Sequence, residues 1–219
     1  MLQAELTRLY PRLFHVAEAG AWPEISKRGL LTTTQLCDLF EVLPEARIEL
    51  LQQRRPAKVV MEHATHGKVV LRDQGPLSTK KLANCLEAGM TVEEWLLGLN
   101  DRVFFWLQEN RLFRMLDAYA DQEHDVLTVD TARLLARHAD RTRLSRINSG
   151  STAYLARPRG AETFKRIEQY EHPPRRRAAA AAGDVAELAV LGGVPDVQDF
   201  TVSVWRYGGR KRLRAIFEA

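Results

Sequence analysis

The stretch LYPRLFHVAEAGAWPEISKRGLL, residues 9–31, contains the change of period on which the fold turns. Upstream of it Leu2, Leu6 and Leu9 recur at helical spacing, and Pro11 stops that helix because proline has no backbone N–H and a fixed φ. RLFHV, directly after the proline, is read as a short strand. AWPEISKRG then restarts a helix, with Pro23 in the first turn, where a missing N–H has no partner to lose, and Gly29 at the end. His15 sits late in the strand. It is either a satisfied core histidine or a residue placed to hold a ligand.

Outward from this stretch, Thr33 or Thr34 is expected to cap TQLCDLFEV, and Pro44 to open EARIELLQQRR. Beyond Pro56 the two β-branched runs of AKVVMEHATHGKVVLRDQGPL flank a His-Gly turn and predict a hairpin. Ser78 caps TKKLANCLEAG, and Thr91 caps VEEWLLGLN with Glu94 at the capping-box position. DRVFFWLQ is a strand, NRLFRMLDAYADQ an amphipathic helix, DVLTVDT a strand and ARLLARHA a helix. TRLSRINSGSTA runs from a strand into a turn of small residues. EHPPRRRAAAAAGD offers little to bury, so residues 171–184 read as a mobile loop. The end, VAELAVLGGVPDVQDFTVSVWRYGGRKRLRAIFEA, is read as two strands around a Gly-Val-Pro bend. Helices cluster toward the N-terminal half, about seven strands lie mostly late, and βαβ alternation is scarce, which predicts an α+β fold in a single domain over 1–219.

Composition narrows the function classes. With 45% hydrophobic and 27% charged residues the chain is able to bury a sizeable core. No apolar run reaches the ~18 residues of a membrane span, and the N-terminus lacks a basic region feeding an apolar one, so a soluble, cytoplasmic protein is expected. Cys37 and Cys85 lie in helix-like stretches without CxxC or Cys/His spacing, which favours free thiols over a zinc site or disulfide. His63 and His66 flank a turn and are expected to face solvent; with Glu62 alone nearby they make no metal set. Between Arg133 and Arg177 there are twelve Lys/Arg and four acids, a bias that suits a phosphate-bearing partner as well as an ordinary solvated surface. The dinucleotide, P-loop, zincin and nucleophile-elbow motifs are absent from strand-to-helix junctions.

Four segments taken in order carry a resemblance: LFHVAEAGAWPEISKRGLL, RVFFWLQENRLFRML, DVLTVDT and VAELAVLGGVPDVQDFTVSV. Together, over roughly residues 9–205, the chain resembles the ADP-ribosyltransferase fold, in an order similar to that of the DarT-type nucleic-acid ADP-ribosyltransferases and uncharacterised bacterial relatives. The resemblance implies a split β-sandwich that binds NAD as co-substrate in its cleft. It implies that His15 bonds the adenosine ribose, that Glu187 is the catalytic carboxylate, and that Phe104 or Trp106 stacks on the nicotinamide. It makes Arg72 the arginine that contacts NAD. The family's usual tyrosine has no counterpart in VFFWL. DNA or RNA is implied as acceptor, with a toxin or defence role and a neutralising antitoxin. A non-catalytic binding domain and an RNA 2′-phosphotransferase are the rival implications. On the residues alone, Glu187 alternates against Ala186 and Leu188, which fits a carboxylate facing a cleft or a gatekeeper charge on an edge strand. INSGST reads as a loop able to meet phosphate or ribose, or as a turn.

Overall fold

The computed structural model describes residues 1–153, 157–172 and 184–219. The fold is α+β and mostly antiparallel. Helix α1 (Gln3–Leu9) leads into β1 (Arg12–Glu18), then α2 (Trp22–Arg28), α3 (Thr33–Leu39) and α4 (Pro44–Gln52). A hairpin of β2 (Val59–His63) and β3 (Gly67–Leu71) precedes α5 (Thr79–Ala83) and α6 (Val92–Asn100). Then come β4 (Arg102–Trp106), α7 (Glu109–Ala118), β5 (Glu123–Asp130), α8 (Thr131–His138), β6 (Thr142–Ser145), β7 (Glu187–Leu191), β8 (Thr201–Gly208) and β9 (Lys211–Glu218). The main sheet has seven strands in the order β6-β7-β4-β1-β5-β8-β9, and β2-β3 stands apart as a pair. No helix among the described residues is long and apolar enough to cross a membrane.

Local rules explain most boundaries. Pro23 occupies the start of α2 and Gly29 its C-cap at φ 81°. Pro44 opens α4, and Thr91 with Glu94 forms a complete capping box on α6. Elsewhere the outcome differs from expectation. Thr32, one residue before the expected pair, caps α3 through a box with Gln35. α5 stops at Ala83 because the chain there turns to pair with Arg159, whose N–H donates to Cys85 O at 2.7 Å while Glu87 N–H donates to Arg159 O at 2.8 Å. The C-terminal stretch forms three strands, not two, and the described residues hold nine strands rather than about seven. The unexpected one is β9, an edge strand whose first five residues are exposed, so its contact with the main core is confined to Ile216 and Phe217. Most of the proposed mobile loop, residues 173–183, lies outside the described residues.

Both faces of the sheet are covered. One carries the largest core, with Leu13, Phe105, Leu127, Leu188 and Val204 packed under Leu6 of α1, Trp22 of α2 and Leu134 and Leu135 of α8. The other face divides in two: Val16, Val126 and Tyr207 meet Leu112 and Leu116 of α7, while Phe104 joins Leu82, Trp95 and Leu96 from α5 and α6. The seams between strands are unequal. β1 pairs with β5 along its whole length, from Arg12 opposite Asp130 to Glu18 opposite His124. With β4 it shares a single pair, Phe14 opposite Trp106. Antiparallel register would next set His15 against Phe105 and Val16 against Phe104, and the two strands part before that happens.

Candidate functional site

Where β1 and β4 part, a cavity of about 610 Å³ enters the sheet, and residues from both faces line it: Ile25 and Leu30 on one side, Phe104 and Met115 on the other. Its size is that of a small-molecule site, for which about 300–1,000 Å³ is usual. His15, Arg72, Phe104, Trp106 and Glu187 all line this one cavity.

His15 stands in for the missing ladder. Its Nδ1–H donates to Phe104 O at 2.9 Å, a carbonyl that a continuous β1–β4 ladder would have used. Its ring lies 5.6 Å from that of Phe105. Burial pulls its pKa down to about 4, with the Arg72 charge adding to the effect against the Phe104 bond, so the imidazole is neutral and Nε2 is an acceptor. His15 is thus a structural hydrogen-bond donor on one nitrogen and leaves an acceptor on a ring that borders the cavity.

Arg72 follows β3 immediately, so the hairpin carries it to the cavity. Its guanidinium lies 4.7 Å from the centre of the Tyr119 ring, and Nη2 is 3.5 Å from Nε2 of the fully buried His124. Nη1 has no partner among the described residues. Burial lowers the Arg72 pKa and, together with the Arg72 charge, pulls that of His124 down to about 4. Tyr119 donates to Asp73 Oδ2 at 2.8 Å, and Glu18, also on the cavity wall, pairs with Lys58 at 2.7 Å.

β4 separates its aromatics by face: Phe105 is buried in the main core, while Phe104 and Trp106 are half-buried on the opposite side. Trp106 sits opposite Glu187 of β7 in register. β7 lies between β4 and β6, so Glu187 is on an interior strand at 5% exposure, and the edge-strand gatekeeper reading is wrong. Its Oε2 accepts from Ser149 N–H at 3.0 Å and Ser149 Oγ–H at 2.8 Å. Burial raises its pKa to about 7; the Ser149 bonds, then the charges of Arg111 and Arg159, hold it from rising further. Near neutral pH such a carboxyl divides between charged and protonated forms, as a group that both stabilises positive charge and accepts a proton must. The INSGST loop therefore holds the glutamate through Ser149.

Other expectations change as well. His63 and His66 are half-buried and stacked on each other at 4.6 Å instead of facing solvent, and His66 borders the cavity. Cys37 is buried in α3 and Cys85 half-buried past α5, both free. The described residues hold no group of three or more His, Cys, Asp or Glu able to bind a metal. The basic segment is not a uniform solvated face: Arg137 pairs with Asp196 and Asp199, Arg141 donates to Leu191 O and Gly193 O, and Arg159 is buried. Arg175, Arg176 and Arg177 lie outside the described residues. Sequence reasoning missed Tyr119, His124, Ser149, Arg111 and Arg159, which reach the site from distant segments; the hydroxyls of INSGST were the one signal available.

The chain belongs to DUF7002, a family of unknown function whose model matches residues 11–201. That span takes in β1, β4, β7 and the whole cavity wall, and stops at the first residue of β8. No curated protein matches the chain.

Proposed function

We propose that this member of DUF7002 is a cytoplasmic mono-ADP-ribosyltransferase with an ADP-ribosyltransferase-like split sandwich, binding NAD in the cavity at the β1–β4 seam. The observation that carries the reading is the convergence of His15, Arg72, Phe104, Trp106 and Glu187 on one cavity, although they come from four strands or loops far apart in the chain. Each group suits its part. Arg72 Nη1, without a hydrogen bond among the described residues, offers charge-assisted bonds to a pyrophosphate. His15 Nε2 accepts from a ribose hydroxyl, and Trp106 or Phe104 supplies the flat apolar face a nicotinamide needs. In the reaction the ribose C1′–N bond breaks, its electron pair leaves with neutral nicotinamide, and the acceptor's lone pair forms the new bond to C1′. Glu187, ionised, stabilises the oxocarbenium-like transition state and takes the acceptor's proton.

A second reading, an NAD-binding domain without turnover, is favoured by one observation: the Glu187 carboxyl is buried and already holds two bonds from Ser149. Titrating the protein with NAD while following its melting temperature, and then assaying free nicotinamide with and without DNA, RNA or lysate, separates the readings. Binding raises Tm with the logarithm of ligand over Kd. A Tm unmoved by millimolar NAD overturns both; a shift without nicotinamide release leaves the binding domain.

A further inference from the structure

A second cavity, about 320 Å³, opens between the end of β6 and residues 157–165. Its wall carries Arg146, Arg157, Arg159 and Lys165 against two acids, Glu87 and Glu162. Both acids are already engaged: Glu87 accepts Ala161 N–H at 2.7 Å, and Glu162 pairs with Lys165 at 2.9 Å. The three arginines have no carboxylate partner among the described residues. Two of them meet carbonyls instead, Arg146 donating to Glu171 O, and Arg159 to Arg157 O at 2.8 Å and to Ser151 O.

Arg159 is the telling member. It is only 3% exposed, and its Nε–H has no partner among the described residues. The charge of Arg159 acts on Glu187, but its Nε–H is left without a hydrogen bond that an anion in the recess would accept. Tyr170, 1% exposed on the same wall, has the Arg146 guanidinium 5.3 Å from its ring centre, and its hydroxyl has no hydrogen bond within normal distance among the described residues. Its pKa is pushed up to about 12 by burial, so it is a neutral donor at any physiological pH. Two buried donors without a hydrogen bond among the described residues, and an excess of cations over acids on one wall, match a tetrahedral oxyanion rather than a neutral ligand.

We propose that this second cavity binds a phosphate ester, a site separate from the seam cavity. Ser145, on its wall, is the register partner of Glu187, so the recess adjoins the strand pair that carries the glutamate. Phosphate binding stands by itself. Its use to bring an acceptor beside Glu187 rests on the transferase reading.

The test is titration of the full chain, without NAD, by inorganic phosphate and by two oligothymidylates of equal length, one 5′-phosphorylated and one not, at fixed ionic strength. Inorganic phosphate should bind and compete with the oligonucleotides. Preference for the phosphorylated strand identifies a terminal monoester; equal binding identifies an internal diester. Arg157→Ala and Arg146→Ala should each weaken binding about tenfold, whereas the double variant Arg212→Ala/Arg214→Ala on β9 should bind as the wild type. Absence of binding by all three probes overturns the site, and so does an equal loss in the β9 variant, which would mean diffuse attraction to a basic surface. An NAD isotherm run in parallel keeps the two proposals apart, because its failure with phosphate binding intact removes only the transferase reading.

Discussion

The two seams of β1 differ in what they demand of side chains. Along β5 seven register pairs satisfy the backbone, so the residues between the strands are free to be apolar, and Leu13, Leu127 and Val129 there are fully buried. Along β4 one pair forms, and the backbone groups beyond it need other partners. His15 supplies one of them, and the space left by the missing ladder becomes the cavity. One strand thus makes a stability seam on one side and a site seam on the other. The difference teaches that a polar residue in a strand is best judged by the ladder it replaces, not by its own burial.

The largest expected effect sharpens this division. Leu13→Ala on the closed seam removes a fully buried side chain that does not border the cavity. It should cost about 2–5 kcal/mol of stability in denaturant melts and leave the Kd for NAD unchanged under native conditions. A comparable loss of NAD affinity in the folded variant would show that the seams are not independent.

Glu187→Gln addresses the open seam alone. It keeps size and most hydrogen bonding but removes the charge, so turnover should fall on the order of a hundredfold, roughly 3 kcal/mol of barrier, while NAD affinity changes little and Tm at neutral pH rises, because the variant has no buried charge to desolvate. Nicotinamide release at the wild-type rate would make Glu187 a packing residue held by Ser149.

The pH dependence follows from opposite shifts around the open seam. His15 and His124 titrate near 4 when folded against 6.5 unfolded, so each contributes stability above pH 6.5 that is lost as pH falls toward 4. Glu187 titrates near 7 when folded against 4.5 unfolded, so its contribution is present below pH 4.5 and is lost as pH rises to 7. Between pH 4.5 and 6.5 two rising slopes meet one falling slope, for a net gain of at most about 1.4 kcal/mol per pH unit from these three groups. In Glu187→Gln that gain should about double, and the decline between pH 6.5 and 7 should vanish. Parallel stability curves for the two proteins would contradict the raised glutamate.

How far all this was legible depended on how local the cause was. Proline, glycine and capping signals placed β1, α2, α4 and α6, and the turn between β-branched runs placed the hairpin, because each cause lies within a few residues. Thr32 was missed by one position since three threonines in a row offer the same chemistry, and only the bond from Gln35 N–H to Thr32 Oγ1 at 3.1 Å decides among them. β9 was missed because its first five residues are exposed and charged side chains interrupt its few apolar ones. At the site, His15 and Glu187 drew attention as polar residues in apolar strands, Arg72, Phe104 and Trp106 only through a resemblance, and the partners hardly at all: Tyr119 and His124 beside Arg72, and Ser149 beside Glu187, are neighbours through the tertiary fold, which no local pattern encodes.

The smallest expected effect tests whether the loop or the sheet sets the glutamate. Ser149 gives Glu187 Oε2 two bonds, and only the hydroxyl bond at 2.8 Å depends on the side chain; the N–H at 3.0 Å belongs to the backbone. In Ser149→Ala the ionised carboxylate loses one donor in a dry site, where a hydrogen bond to a charged group contributes about 1.5 kcal/mol or somewhat more. Since that bond favours the charged form, its loss raises the Glu187 pKa by about one unit. The acid limb of nicotinamide release should move to higher pH by that amount, with the rate on the alkaline plateau nearly unchanged. Ser149→Thr retains a hydroxyl and should restore the wild-type profile. If Ser149→Ala lowers the plateau as far as Glu187→Gln does, the loop positions the carboxylate as well as tuning it. If the acid limb does not move, the strand register opposite Trp106 and Ser145 is sufficient to set the glutamate.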